Sequence, residues 1–276
     1  MPNIILLFLL FVIGYLYLVH RFYRNRLYND HTYLTKTISY CKAEHPLVYE
    51  ERVKKERSGR CLFQTYVDKS KIPQEVFDNI KLYAPEYTHV VMDDYDLSEF
   101  IYSYFDSSVL YTFHNLRSGA HKADLARYCL LYIYGGLYMD IKTELIGNLS
   151  DIFKDPNTLY TVLSYKSEQI YQGIISSPPK NPFFLSLIDY VVRTQNPWDY
   201  LGFCKDFYFQ IKADSKQKVL PGENKGSQPY YLFSEKCTSA TENMCHDGLD
   251  RYGFCCYVWD GDKPIIKTRR ASYPWK

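Results

Sequence analysis

The stretch from Ser118 to Asp140 constrains this chain more than any other. Leu125, Tyr128, Cys129, Tyr132 and Ile133 recur at helical spacing, and Gly135-Gly136 follows them directly. Glycine accepts the left-handed backbone conformation that helix ends require, so the spacing predicts a helix over 118–134 that stops there. Leu137 to Asp140 then reads as a short strand.

Upstream, Cys61 to Val67 has strand composition, and Ile72-Pro73 opens a helix over Gln74 to Tyr83 that closes before Pro85. A strand at His89 to Met92 completes a strand-helix-strand unit, which argues for an α/β fold with a mainly parallel central sheet. A helix from Asp96 to Tyr104 and a loop lead into the 118–134 helix. Further strands are expected at Leu159–Tyr165 and Gln172–Ser176, and helices at Pro182–Arg193 and Tyr200–Ile211. No repeat or low-complexity tract interrupts the pattern.

The first residues are of a different kind. Ile4 to Val19 is an unbroken apolar run followed by His20, Arg21, Arg24 and Arg26. A spanning helix needs roughly 17 to 25 apolar residues, and this run sits at the short end. It has no basic segment before it and no small-residue cleavage site after it, so it reads as a single-pass membrane anchor rather than a cleaved signal. The expected organisation is an anchor with its basic flank at 1–26, a polar stem at 27–60 and one globular domain at 61–276. The arginines after the run place the large domain in the cytosol by the positive-inside rule.

Balanced charge, 33 basic against 31 acidic residues, gives no broad electropositive surface and argues against nucleic acid as a partner. The eight cysteines fit either four disulfides in a lumen or eight thiols in a reducing compartment. Cys237, Cys245, Cys255 and Cys256 cluster near the C-terminus with His246, but no CxxC or HxxxH spacing supports a zinc site. Asn148-Leu149-Ser150 is a glycosylation sequon that carries meaning only on a lumenal face.

Asp124 and Arg127 are three residues apart and share a helix face. Asp140 ends the following strand, where open α/β sheets bind ligands. Taken by spacing alone, the first two read as a solvated surface pair worth about 0.2 to 0.5 kcal/mol, and Asp140 as a turn cap.

A longer pattern alters that reading. KADLARYCLLYIYGGLYMDIK resembles the signature of the glycosyltransferases whose sugar-binding region contains a DxD motif. That group includes the yeast-type initiating α-1,6-mannosyltransferase, inositolphosphoceramide mannosyltransferases and α-1,4-galactosyltransferases. LFQTYVDKSKIP, APEYTHVVMDDYDLSEFI and SSPPKNPFFLSLIDYVV are similar to flanking family segments, so the likeness runs from about Cys61 to Val192; IIKTRRASYPW resembles the tail of some members only.

The resemblance implies a single GT-A-type domain that transfers a hexose with retention from a UDP- or GDP-sugar to a glycan or lipid acceptor, in a Golgi- or ER-type membrane. Such Golgi-type enzymes have the orientation opposite to the one the arginines favour. By the same resemblance Gln64, Thr65, Asp124, Arg127, Gly136, Tyr138 and Asp140 bind the donor, Gln64 and Thr65 bordering its base. Asp140 matches the first acid of the motif and is expected to carry the chemistry, together with Lys142 two residues on, where this chain departs from the family; His121 stands just before the motif.

One position departs from the pattern. The family's second acidic residue, a direct metal ligand, is here Lys142. Three readings are open: an active enzyme in which the Lys142 ammonium does part of a metal's work, with charge aimed where negative charge develops; an enzyme that keeps Mn2+ or Mg2+ on Asp140 with Glu144, Asp247, Asp250 or Asp260; or a catalytically inactive binding or scaffold protein at a membrane.

Overall fold

The computed structural model describes residues 60–195, 199–238 and 255–268. The expected anchor and nearly all of the stem lie outside them, as do Cys245, His246, Asp247 and Asp250. No helix among the described residues is long and apolar enough to cross a membrane.

β1 (Cys61–Thr65) and β2 (Thr88–Met92) pair in parallel, linked by α1 (Gln74–Tyr83), whose bounds are those read from the sequence. Three helices follow: α2 (Asp94–Tyr104), α3 (Ser107–Asn115) and α4 (Gly119–Tyr134). They lead into β3 (Gly136–Met139), which lies parallel to β1 on its other side. The α2 helix begins two residues before the expected Asp96, because Asp93 accepts from the Tyr95 and Asp96 backbone N–H groups in a capping box. The α3 helix replaces part of the expected loop. Asp106 caps it through the Ser108 and Val109 N–H groups, and Val109, Thr112 and Phe113 face the core at helical spacing.

The remaining elements are β4 (Glu144–Leu145), β5 (Leu159–Leu163), β6 (Ile170–Ser177), α5 (Pro182–Thr194), α6 (Gly202–Ser215), β7 (Gly222–Lys225), β8 (Pro229–Thr238), β9 (Cys255–Asp260) and β10 (Lys263–Lys267). All strands join one sheet in the order β2-β1-β3-β6-β5-β8-β9-β10-β4, with β7 also on β8.

That sheet corrects the expectation of a mainly parallel one. Only β1–β2, β1–β3 and β5–β8 are parallel; the other six pairings are antiparallel. Parallel neighbours need a crossover of a dozen or more residues. The helices α1 to α4 supply such crossovers in the first half. In the second half β5–β6 and β9–β10 are joined by short turns, so the chain folds back on itself.

Alternate residues of the central strands serve two cores, one on each face of the sheet. Leu62, Leu137 and Met139 pack with Ile174, Phe233 and Ile266 on one face. Phe63, Tyr138 and Ile175 meet α4 and α5 on the other. Every α4 residue from Asp124 to Ile133 is buried, so α4 is a central helix enclosed on all sides rather than a surface helix with one wet face.

The double glycine between α4 and β3 has no substitute. Gly135 has φ +65° and Gly136 φ +87°. A Cβ on Gly136 would lie 2.5 Å from the Cys61 carbonyl oxygen, a backbone atom of β1. Gly136→Ala therefore meets both positive-φ strain, about 1 to 3 kcal/mol, and separation of β1 from β3. We expect the melting temperature to fall by about 4 to 10 °C. An unchanged thermal unfolding midpoint would contradict the close approach.

Candidate active site

Asp140 follows β3 directly, and hydrogen bonds fix it from all sides. Its N–H donates to the Gly173 carbonyl on β6 at 2.8 Å. Its own carbonyl accepts from Thr143 Oγ1 at 2.7 Å and from Gln64 Nε2 at 3.4 Å. In the side chain, Oδ1 accepts from Arg127 Nη2 and Tyr138 OH, each at 3.3 Å, while Oδ2 lies 3.4 Å from Lys142 Nζ. Burial would raise this carboxyl, but Arg127 and Lys142 together outweigh burial and hold it below the usual carboxylate value.

Arg127 is the hub beneath it. Nε donates to the Ala123 carbonyl at 3.1 Å, Nη1 to the Gln172 carbonyl at 2.6 Å, and Nη2 to Tyr138 OH at 3.4 Å as well as to Asp140. Nη1 also pairs with Asp124 Oδ1 at 3.1 Å, and the guanidinium lies over the Tyr138 ring at 4.5 Å. The surface-pair reading of Asp124 and Arg127 is thereby corrected: they are 7% and 4% exposed, inside a helix that has no solvent face. The five N–H groups of a guanidinium are matched by five acceptors. Arg127 thus holds the two aspartates in place and has no fork left to grip a phosphate. Burial pushes the Asp124 carboxyl up, against the pull of Arg127.

The other expected site residues divide. Gln64 is fully buried and ties the Asp140 carbonyl to His89, whose Nε2 is 2.8 Å from Gln64 Oε1. It positions the motif from behind and presents nothing to a ligand. Thr65 Oγ1 lies 3.0 Å from Tyr138 OH and borders a cavity of about 210 Å³ with Tyr66, Asp94, Gly119 and Ala123. Gly136 is at the opposite end of β3 from Asp140, against Cys61, so its expected donor contact becomes a packing role. The His121 ring is buried against Tyr200 and Phe203, with Nε2 2.9 Å from the Tyr200 carbonyl.

Asp124, Arg127, Asp140 and Lys142 line a larger cavity of about 290 Å³. Gln172, Gly173 and Glu235, none of them expected from the sequence, line it as well. A glycine inside a strand signals close backbone approach, and a Cβ on Gly173 would lie 2.9 Å from Asp140 Oδ2. Gln172 Oε1 accepts from Tyr128 OH at 2.5 Å, and its buried Nε2 has no hydrogen-bond partner among the described residues. Glu235 is 5% exposed, and its Oε2 accepts from Ser164 Oγ at 3.0 Å. Cys204 also lines the cavity, but burial pushes its thiol up to about 12, which rules it out as a thiolate nucleophile near neutrality.

With this geometry the comparisons with known proteins agree. Residues 70–159 match the glycosyltransferase sugar-binding region containing a DXD motif. That match covers less than half of the chain. The match takes in α4, β3 and the Asp140–Lys142 corner. Among curated proteins the chain is 23% identical over 155 residues to the glycosyltransferase afumC of Aspergillus fumigatus, covering 52% of this chain and 39% of that protein. It is 30% identical over 105 residues to an uncharacterized glycosyltransferase of Acanthamoeba polyphaga mimivirus, covering 37% and 39%. It is 28% identical over 117 residues to a mannosyl phosphorylinositol ceramide synthase of Saccharomyces cerevisiae, covering 41% and 29%. The chain thus spans two fifths or less of these relatives' lengths. A solved structure, the PaToxG glycosyltransferase, aligns with 66% of this chain and 76% of its own at TM-score 0.43 and 12% identity, too loosely to fix a fold family.

The DXD description implies a divalent cation, and the described residues do not fit one. In place of the second acid stands Lys142, its ammonium 3.4 Å from Asp140 Oδ2. An ammonium beside that carboxylate repels a divalent ion that would share it. Among the described residues, Asp140 belongs to no group of three close carboxylate, histidine or thiol ligands. Glu144 and Asp260, the alternative ligands in the described residues, do not line this cavity. Glu144 pairs with Lys267 in the sheet, and Asp260 Oδ1 accepts from Tyr231 OH at 2.5 Å.

The candidate zinc cluster also falls away. Cys237 and Cys256, directly opposite on β8 and β9, form a disulfide, so their sulfurs are not available to a metal. The disulfide and Glu235 account for the one ligand-like cluster among the described residues.

Proposed function

We propose that this chain is a GT-A-type glycosyltransferase that moves a hexose, with retention of configuration, from a UDP- or GDP-sugar to a glycan or lipid acceptor. The observation that carries the proposal is Asp140, locked on both carboxylate oxygens at the edge of the larger cavity, inside the DXD-family region. Such rigidity suits a group that must hold one part of a donor while another part departs.

The two cavities suggest how the donor lies. Gly119 and Ala123 border the smaller one and Ala120 and Asp124 the larger, so the first turns of α4 separate them. A nucleoside seated beside Thr65 would lead its diphosphate past α4 toward Asp140 and Lys142. The sugar would then lie between Asp124 and Gln172, whose unpartnered amide N–H groups suit a sugar hydroxyl. In this arrangement Arg127, Gln64 and Tyr138 act by positioning Asp124 and Asp140. Stabilising the departing nucleoside diphosphate supplies most of the rate enhancement.

A lipid headgroup suits the acceptor role, since one relative is named a mannosyl phosphorylinositol ceramide synthase. The apolar run at 4–19 would then hold the enzyme at a Golgi- or ER-type membrane, near such an acceptor. The Cys237–Cys256 disulfide and the exposed sequon residue Asn148 favour a lumenal catalytic domain over the cytosolic one that the arginines favour. Protease protection on sealed membranes decides between the two orientations.

A screen of UDP-galactose, UDP-glucose and GDP-mannose for release of nucleoside diphosphate tests the activity. Release from at least one donor is expected, and the anomeric configuration of the sugar product, read by NMR, tests retention. Donor binding without release under any acceptor would instead favour an inactive binding or scaffold protein.

A further inference from the structure

We infer that this site works without a divalent cation, the Lys142 ammonium taking the cation's place opposite the donor's diphosphate. The inference rests on the glycosyltransferase reading above.

Charge makes the case. In this corner two carboxylates, Asp124 and Asp140, face two cations, Arg127 and Lys142, and these four side chains together carry no net charge. An aspartate at position 142, as the DXD pattern has it, would leave three carboxylates and one guanidinium, a deficit of two positive charges. A divalent ion makes up that deficit and no more. Lysine in place of aspartate therefore brings to the protein the same charge that the ion brings to a DXD site, within one side chain of the same position.

The geometry agrees with the charge. Arg127 is enclosed by its own acceptors, so it cannot serve the diphosphate. Lys142 lines the cavity, and its ammonium lies 3.4 Å from Asp140 Oδ2. An ammonium carries three donors, so its pairing with Asp140 does not by itself exhaust them, and a phosphate oxygen can compete for one. Asp140 in this arrangement orients the lysine as well as the donor, and it is the pair that meets the ligand. No bond to the sugar is made or broken by Lys142; its part is to neutralise charge on the leaving diphosphate.

Titration calorimetry of the full chain with UDP and with GDP, in EDTA and then with excess Mn2+, tests this. One of the two nucleotides is expected to bind in EDTA, with a dissociation constant that Mn2+ leaves essentially unchanged. Lys142→Asp should weaken that binding in EDTA by about ten- to a hundredfold, the scale of a lost charge-assisted hydrogen bond, and should regain it when Mn2+ is added. Lys142→Arg keeps the charge and should keep binding in EDTA, and thermal unfolding of each variant separates lost affinity from lost fold. Wild-type binding that appears only with Mn2+ overturns the inference while leaving the glycosyltransferase reading intact. So does a Lys142→Asp variant that remains folded and binds in EDTA as the wild type does. Absence of binding to either nucleotide, with or without Mn2+, overturns the glycosyltransferase reading and the inference with it.

Discussion

Arg127→Met should lower the melting temperature by about 10 °C, the largest stability effect expected of any single change at the site. The methionine fills much of the volume, so the loss is electrostatic. Removing the guanidinium leaves Asp124 and Asp140 buried beside one another without the cation they share, and breaking a buried pair in this way costs about 3 to 5 kcal/mol. It also frees the Gln172 and Ala123 carbonyls that Nη1 and Nε satisfied. Arg127→Lys should recover little, because a single ammonium cannot reach acceptors spread around a planar fork. Adding Asp124→Asn to Arg127→Met should restore part of the loss, since one uncompensated charge disappears. Differential scanning calorimetry of the three variants checks the order; a fall of only a degree or two in Arg127→Met would show that the guanidinium is not the hub.

Asp140→Asn is expected to do the reverse, removing activity while sparing the fold. Asparagine has nearly the same shape, and its Oδ1 can still accept from Arg127 and Tyr138 as Asp140 Oδ1 does. What it lacks is the charge that fixes the Lys142 ammonium at Oδ2. With that charge removed the ammonium is held less firmly, the preorganised charge that should meet the leaving diphosphate is weakened, and the loss of one such group typically costs about 10²- to 10³-fold in rate. The melting temperature should change far less than in Arg127→Met.

Several of these features were legible in the sequence and several were not, for definable reasons. The α4–Gly-Gly–β3 unit was legible because helical spacing and two positive-φ glycines are local signals. The α3 helix was also written locally, in Asp106 ahead of two serines and an apolar face, but the cap was passed over. The parallel half of the sheet follows from strand-helix-strand order, whereas the antiparallel half depends on turns. One of those turns was readable: Gly261-Asp262 is a two-residue hairpin signal, and Gly261 has φ +58° where β9 turns into β10.

The site divides along the same line. Spacing puts Asp124 and Arg127 on one helix face but says nothing of whether that face meets water, and here it does not. That Arg127 serves the aspartates rather than a phosphate depends on Gln172 and Tyr138, which pairing of β6 with β3 brings near. Glu235 reaches the cavity only because β8 lies parallel to β5, a long-range pairing with no local signature. Gly136 shows the opposite limit, a motif glycine held in place by the Cys61 carbonyl rather than by any ligand.

The central claim is that the Asp140–Lys142 corner acts on a nucleotide-sugar donor, and the release of nucleoside diphosphate by wild type and by Asp140→Asn, measured side by side in EDTA, tests it most directly. The account predicts release by the wild type from at least one UDP- or GDP-hexose and a loss of about 10²- to 10³-fold in a variant that remains folded. Equal release by the two proteins, or none from the wild type with any donor, would contradict it.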